Sequence, residues 1–347
     1  MAGVADLAEM TAEAILPTGS NSSPRASLII VSFNTRDVLR ECLLSVAAQA
    51  LGDAIEIIIV DNASRDDSCA MVEREFPAVR LIRSTVNLGF GAANNLGFEA
   101  ARGEYIVLLN SDAFLRPDAL RLAIEHMDAD PRVGLGGGRL VGRNDEWQPS
   151  ARMFPSLTND FLTISGLSWK YPKSRLFGRL DRTWADASEA AEVDWVPGAF
   201  SIIRREVLRI VGPFDPVFFL YFEEVDLCRR IKAAGYTIWY WPDVVVVHIG
   251  GESSRQVKTL SMSSSGAQLA LWRMRSMLLY YRKHHGAKAW FAMQLERKWH
   301  RLRLLKNRGN SEPSRVAQCV EHETLIQLMK QAWRETRGGR ESPARPW

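Results

Sequence analysis

Apolar positions in the first third of the chain come in two rhythms that alternate. Ser27–Phe33, Ile55–Val60, Val79–Ile82 and Glu104–Leu109 are short β-rich runs, whereas Asp37–Ala50, Asp66–Phe76 and Gly91–Ala101 place apolar residues at helical spacing. This alternation predicts an α/β fold with a mostly parallel central sheet, and near-continuous apolar strands predict burial on both faces. Ligands of such sheets sit beyond the carboxyl ends of the strands. The residues there are Asn34-Thr35, Asp61-Asn62-Ala63-Ser64 and Asn110-Ser111-Asp112. Each group alone is what a turn or a helix cap uses, and Ser64, ahead of Arg65-Asp66-Asp67, suits a cap as well as a ligand. Asp112 is different: a carboxylate at the mouth of a buried strand, away from an obvious local cation, is a candidate metal ligand.

The second half supplies further chemistry. Val193–Ile203 reads as a glycine-containing turn leading into a buried strand, and Phe214–Phe222 as an aromatic-rich loop that ends at Glu223-Glu224-Val225-Asp226. Acidic residues in a first helical turn favour the helix dipole, and for Asp226 that role and a functional one stand level. Adjacent Glu223 and Glu224 after an apolar loop are candidates for proton transfer, because partial burial and mutual repulsion raise a carboxylate's pKa. Val244–Val247 is a buried strand ending at His248, a candidate metal ligand if the fold brings it beside Asp112.

Composition narrows the class. The chain has 347 residues, 46% apolar and 24% charged, with 44 basic and 40 acidic side chains, which excludes wholesale disorder, a collagen-like repeat or a disulfide mini-protein. No apolar run approaches the roughly 20 residues of a membrane span, and residues 1–24 read as a loose leader, not a secretory signal. Cys42, Cys69, Cys228 and Cys319 form no C-x-x-C pair, which suits a reducing, cytoplasmic setting. Charge is uneven: Leu271–Asn310 holds eleven Lys and Arg against Glu296 alone, a net +10 that leaves −6 for the rest. With Trp272, Tyr280, Trp290 and Trp299 at near-helical spacing, this stretch reads either as a basic helical appendage packed on the core or as a helix pair on an anionic membrane surface. No nucleic-acid module accompanies the charge. Gly89 and Gly91 lack the third glycine of G-x-G-x-x-G, where Asn94 stands, and neither a P-loop nor a G-x-S-x-G elbow occurs.

Six ordered motifs, Ile30–Asn34, Ile59–Ser64, Asn87–Asn95, Leu108–Asp112, Phe218–Leu227 and His248, resemble the family 2 inverting glycosyltransferases of the GT-A fold, in particular the rhamnosyltransferase-like group of cell-envelope polysaccharide synthesis. The match runs from about Ala26 to Ser254. It implies a GT-A catalytic domain over 25–255 with a basic helical region over 256–347. It also implies a donor site in which Asp61, with Ser32, Asn34 and Asn62, meets a pyrimidine base, while Asn87, Gly89 and Asn94 lie near base, ribose and sugar. Asn110-Ser111-Asp112 corresponds to the D-x-D motif, so Asp112 and His248 are the implied ligands of Mn²⁺ or Mg²⁺. Glu223-Glu224 matches the Glu-Asp pair whose second member is the base, with Glu224 standing where Asp is commoner. The implied reaction is inverting transfer, of L-rhamnose from dTDP-rhamnose in first place, to a lipid-linked or polysaccharide acceptor at the inner face of the cell membrane. A UDP-sugar-dependent transferase of the same fold is the alternative within the family. A non-catalytic sugar-nucleotide-binding subunit is the rival from another class, motivated by Asn110 and Glu224.

The insertion Gln148–Glu192, rich in aromatic residues, reads either as part of the acceptor side or as a surface loop closed by its own cluster.

Overall fold

The computed structural model describes residues 23–250, 267–309 and 311–345. Nearly all of the leader expected over 1–24 lies outside them. The chain forms β1 (Ala26–Ser32), α1 (Arg36–Ala47), β2 (Ile55–Asp61), α2 (Ser68–Glu75), β3 (Arg80–Arg83), α3 (Phe90–Ala100) and β4 (Tyr105–Asn110), the alternation that the hydrophobic runs predict. Next come β5 (Ala113–Leu115), α4 (Ala119–Ala129), β6 (Val133–Val141), β7 (Trp147–Gln148), α5 (Leu157–Ile164) and α6 (Leu167–Lys170). Then follow β8 (Ala191–Glu192), β9 (Phe200–Arg204), α7 (Arg205–Val211), α8 (Glu223–Ala233) and β10 (Thr237–His248), and after them the helices α9 (Ala267–His285), α10 (Lys288–Asn307) and α11 (Pro313–Glu335).

The ten strands among the described residues join one sheet, whose main path runs β3-β2-β1-β4-β9-β6-β10-β5. The pairs β3–β2, β2–β1, β1–β4 and β6–β10 are parallel, while β9 runs against both its neighbours and β5 against β10. Leu28, Ile29 and Ile30 are all fully buried, so both faces of β1 are covered, which is why its apolar run has no polar alternation. Gly136, Gly137 and Gly138 of β6 leave no room for a Cβ: one would collide with Trp241, Val196 and the Val244 carbonyl in turn.

The described residues fall into two compact units. The first holds the sheet: the chain up to Arg152, Asp186–Phe214, and Leu227 through β10. The second gathers Met153–Ala185, Asp215–Asp226 and the helices from Ala267 on. Its centre is α9, whose Leu271, Met274 and Leu278 pack with Met293 of α10 and with Met329 and Ala332 of α11. The insertion is tied in by an edge-to-face contact of Phe161 with Trp299, ring centroids 6.1 Å apart, and by a hydrogen bond of 2.5 Å from the Tyr281 hydroxyl to Asp160. Burial pushes the Asp160 carboxyl up to about 7. Of the two helices foreseen in the basic stretch, α9 buries Trp272, Leu279, Tyr280 and Tyr281, whereas α10 exposes Trp290, Phe291, Leu302 and Leu305.

Candidate active site

Side chains at three parallel strand ends of the first unit are joined by short hydrogen bonds. At the end of β1 the Ser32 hydroxyl lies 3.1 Å from that of Thr35, which donates to Ser111 Oγ at 3.1 Å, linking β1 to the corner after β4. Asn34 has φ +53°, a left-handed conformation that Asn tolerates. There its backbone N–H donates to Ser64 Oγ at 2.9 Å and its Oδ1 accepts from the Arg65 N–H at 2.6 Å. Asn62 donates to Asn87 Oδ1 at 2.9 Å and accepts from the Leu88 N–H at 2.7 Å, while Asn87 Oδ1 also accepts from the Gly89 N–H at 2.9 Å. Gly89 sits at φ +83° just before α3, which accounts for the glycine. Buried Asn94 donates to the Phe90 carbonyl at 3.0 Å. Much of the amide capacity of Asn34, Asn62 and Asn94 thus goes into shaping loops. Asp61 is buried and keeps one oxygen in reserve: Oδ2 accepts from the Ser64 N–H at 3.2 Å, and Oδ1 takes no hydrogen bond among the described residues. A buried, unsatisfied acceptor calls for a donor from elsewhere. The Asn110 backbone N–H is held by the Ala199 carbonyl at 3.0 Å.

His248 and Asp112 meet through a strand irregularity. Pro242 cannot donate to the ladder, and the register of β10 against β6 jumps between Trp241 and Val245. Beyond the jump β10 pairs antiparallel with β5, His248 opposite Ala113, and the Ile249 N–H donates to the Asp112 carbonyl at 3.1 Å. His248 Nε2 lies 3.6 Å from Asp112 Oδ1. That is long for a hydrogen bond but less than twice the about 2.1 Å of a Mg²⁺–oxygen bond, so one cation could touch both.

A residue that the sequence reading names only as the start of the insertion orients the imidazole. His248 Nδ1 is 3.1 Å from Gln148 Oε1, and Gln148 Nε2 donates to the His248 carbonyl at 2.8 Å. An amide oxygen at Nδ1 keeps the ring proton there and leaves the Nε2 lone pair towards Asp112. Burial lowers the His248 pKa, with the Asp112 carboxylate opposing it. No group of three or more His, Cys, Asp or Glu side chains able to hold a metal occurs among the described residues. A carboxylate oxygen and an imidazole nitrogen with the other positions left to substrate and water fit Mg²⁺ or Mn²⁺.

Glu223 and Glu224 belong to the second unit and open α8. Before them Tyr221 and Phe222 both have left-handed backbones, φ +70° and +69°, unusual for bulky residues and costing of order 1–3 kcal/mol each. Packing holds that conformation. Phe219 lies against Trp272 with centroids 4.5 Å apart, Phe222 against Tyr280 at 5.4 Å, and Ser276 Oγ donates to the Leu220 carbonyl at 2.7 Å. Asp226 is fully buried and meets His284 Nε2 at 2.6 Å and Lys283 Nζ at 2.7 Å, so it anchors α8 to α9. Glu223 is 3% exposed. Burial, and then the Glu224 carboxylate, push its carboxyl well above the usual range.

The raised Glu223 pKa has a stability consequence. Below about pH 4.3 the group is neutral folded and unfolded. As pH rises above that value the unfolded chain ionises freely while the folded chain holds its proton or ionises at a cost, so stability falls until the folded pKa is passed. Glu223→Gln should therefore melt higher than the parent at pH 7.5, by about 2–4 °C per kcal/mol relieved, with the gap closing near pH 4. Melting curves across that range would refute the assignment if the variant melted lower at neutral pH.

Comparison with known proteins bears on the family and the fold. The profile of Glycosyl transferase family 2 matches residues 27–210. An N-acetylglucosaminyl-diphospho-decaprenol L-rhamnosyltransferase of Mycobacterium tuberculosis is 27% identical over 233 residues, covering 64% of this chain and 75% of that protein. Rhamnosyltransferase WbbL of Escherichia coli K12 is 27% identical over 244 residues, covering 66% and 84%. Among solved structures, a mannosyltransferase of Pyrobaculum calidifontis in complex with GDP-Man and Mn²⁺ superposes with a TM-score of 0.52 at 18% identity, covering 90% of this chain and 86% of that one. GalNAc-T7 with UDP, GalNAc and Mn²⁺ gives 0.52 at 13% identity, covering 92% and 58%. The fold is GT-A.

Proposed function

Because the chain belongs to Glycosyl transferase family 2, we propose that it is an inverting, metal-dependent transferase that moves L-rhamnose from dTDP-rhamnose to a hydroxyl of a lipid-linked or polysaccharide acceptor at the inner face of the cell membrane. The pairing of Asp112 with His248, 3.6 Å apart, carries the reading. The likeness to two rhamnosyltransferases supports the choice of sugar.

Asp61 Oδ1 would accept the imino N–H of a thymine or uracil ring, satisfying its buried lone pairs. The Asn62–Asn87–Gly89 links would fix the loop against the base and ribose. Asp112 and His248 would hold Mn²⁺ or Mg²⁺, which when bound offsets the charge growing on the departing diphosphate. Glu224 would take the proton of the attacking hydroxyl as the new bond forms and the anomeric configuration inverts. Glu223, with its carboxyl held towards the neutral form, is suited to positioning.

A thermal-shift panel of dTDP-, UDP- and GDP-sugars with and without Mn²⁺ tests the donor and metal assignments. Stabilisation by dTDP-rhamnose that grows with Mn²⁺ is expected. Preference for GDP-sugars would reject the role of Asp61, and indifference to metal would reject that of Asp112 and His248.

Gln148→Leu removes the acceptor that fixes the His248 tautomer. It should weaken Mn²⁺ binding in the presence of dTDP about 10–100-fold, read from the paramagnetic signal of free Mn²⁺, while Gln148→Glu, which keeps an oxygen at Nδ1, should retain most of it. Unchanged Mn²⁺ affinity in the Leu variant would show that Gln148 is only a strand contact.

A further inference from the structure

We infer that the groove between α10 and α11 seats the phosphate of an anionic lipid headgroup at a bilayer surface. The groove has a volume of about 650 Å³, and its lining includes Met293 and Arg297 from α10 and Lys330, Gln331, Trp333 and Arg334 from α11. Three cations line it and no carboxylate does. The adjacent acid, Glu335, is engaged elsewhere: it accepts from Arg275 Nε at 2.8 Å and from Gln331 Nε2 at 2.9 Å. Three like charges around one cavity repel one another, and an anion between them removes that repulsion.

Arg297 gives a more local sign. Its Nε is buried and has no hydrogen-bond partner among the described residues. A buried guanidinium donor without an acceptor is costly, and a phosphate oxygen is the acceptor its fork geometry matches. What favours a lipid over a soluble phosphate is the apolar surface alongside. Trp290, Met293 and Arg297 are spaced three and four residues apart, so they share one stripe of α10. Trp290 is 46% and Phe291 54% exposed. Exposed aromatic rings next to a basic groove suit the headgroup layer, where one end of the side chain is wet and the other apolar.

This inference deepens the proposed function and rests on its lipid-facing part, since a lipid-linked acceptor requires the protein to work at a bilayer. The test uses the full chain and vesicles of phosphatidylcholine with or without phosphatidylglycerol, read by sedimentation. Combined Arg297→Gln, Lys330→Gln and Arg334→Gln should lower partitioning onto the anionic vesicles about tenfold or more. The control, Lys288→Gln, Lys306→Gln and Arg340→Gln, removes the same charge at exposed positions outside the groove lining and should lower it less than about threefold. Equal losses in the two triple variants would overturn the proposal in favour of diffuse attraction, as would no loss in either. Stabilisation by inorganic phosphate that the groove variant loses, with vesicle binding unchanged, would overturn the lipid assignment and leave a soluble anion site. Should the triple variant melt early, the exposed pair Lys330→Gln and Arg334→Gln alone must still lower vesicle binding more than Lys288→Gln and Lys306→Gln. The response to dTDP-rhamnose, measured on the same samples, separates the two readings: its absence with groove-dependent vesicle binding sinks the donor assignment only, and the converse sinks the groove only.

Discussion

Glu224→Gln should lower the rate of rhamnosyl transfer about 10²–10⁴-fold, the usual contribution of a positioned general base, while leaving the thermal shift from dTDP-rhamnose and Mn²⁺ intact. The amide keeps the size of the side chain and its capacity to accept a hydrogen bond but cannot take up a proton at neutral pH. The neighbours sharpen the test. Glu223 is buried with its carboxyl pushed upward, so at neutral pH it resists ionising and is the poorer acceptor; Glu223→Gln should retain most of the turnover that Glu224→Gln loses. A result in which Glu223→Gln abolishes transfer and Glu224→Gln does not would exchange the two roles. Parent protein that binds donor but never transfers or hydrolyses it would favour the non-catalytic subunit instead.

Asp112→Ala should cost at least about 10³-fold in kcat/KM, because charge neutralisation by a divalent ion is worth several kcal/mol and each 1.36 kcal/mol is tenfold. The variant should also lose the Mn²⁺-dependent part of the donor thermal shift. Asn110 stands where D-x-D motifs carry their first acid, so Asp112 is the one carboxylate in this motif. Asp112→Asn keeps the shape of the corner between β4 and β5 yet should fail nearly as badly, since an amide oxygen lacks the charge. Retained Mn²⁺ response in either variant would show that the ion binds elsewhere.

The positions of β1 to β4 and of the helices between them were legible because strands covered on both faces must be apolar throughout, and Leu28–Ile30 or Ile57–Val60 cannot be mistaken for amphipathic surface. The strand-end polar residues followed from that register. The reversed direction of β9 leaves no local mark, for Phe200–Arg204 is as apolar as a parallel strand. Gln148 was out of reach for a similar reason: it is a polar residue in a two-residue strand, and its importance comes from meeting His248, 100 positions away. Nor does any pattern foretell left-handed backbones at Tyr221 and Phe222, which local propensity opposes and tertiary packing imposes. Asp226 looked equally suited to dipole or function; its buried pairing with His284 and Lys283 gives it the anchoring role.

The interleaving of the second unit decides how the protein can be dissected. Phe219, Phe222 and Asp226 depend on Trp272, Tyr280 and His284, and Asp160 and Phe161 on Tyr281 and Trp299. A deletion of the terminal helices therefore strips support from two upstream segments at once, and activity lost by it does not by itself report a missing membrane anchor. Chimaeras between relatives must accordingly transplant 153–185, 215–226 and the helices from 267 onward as one cassette.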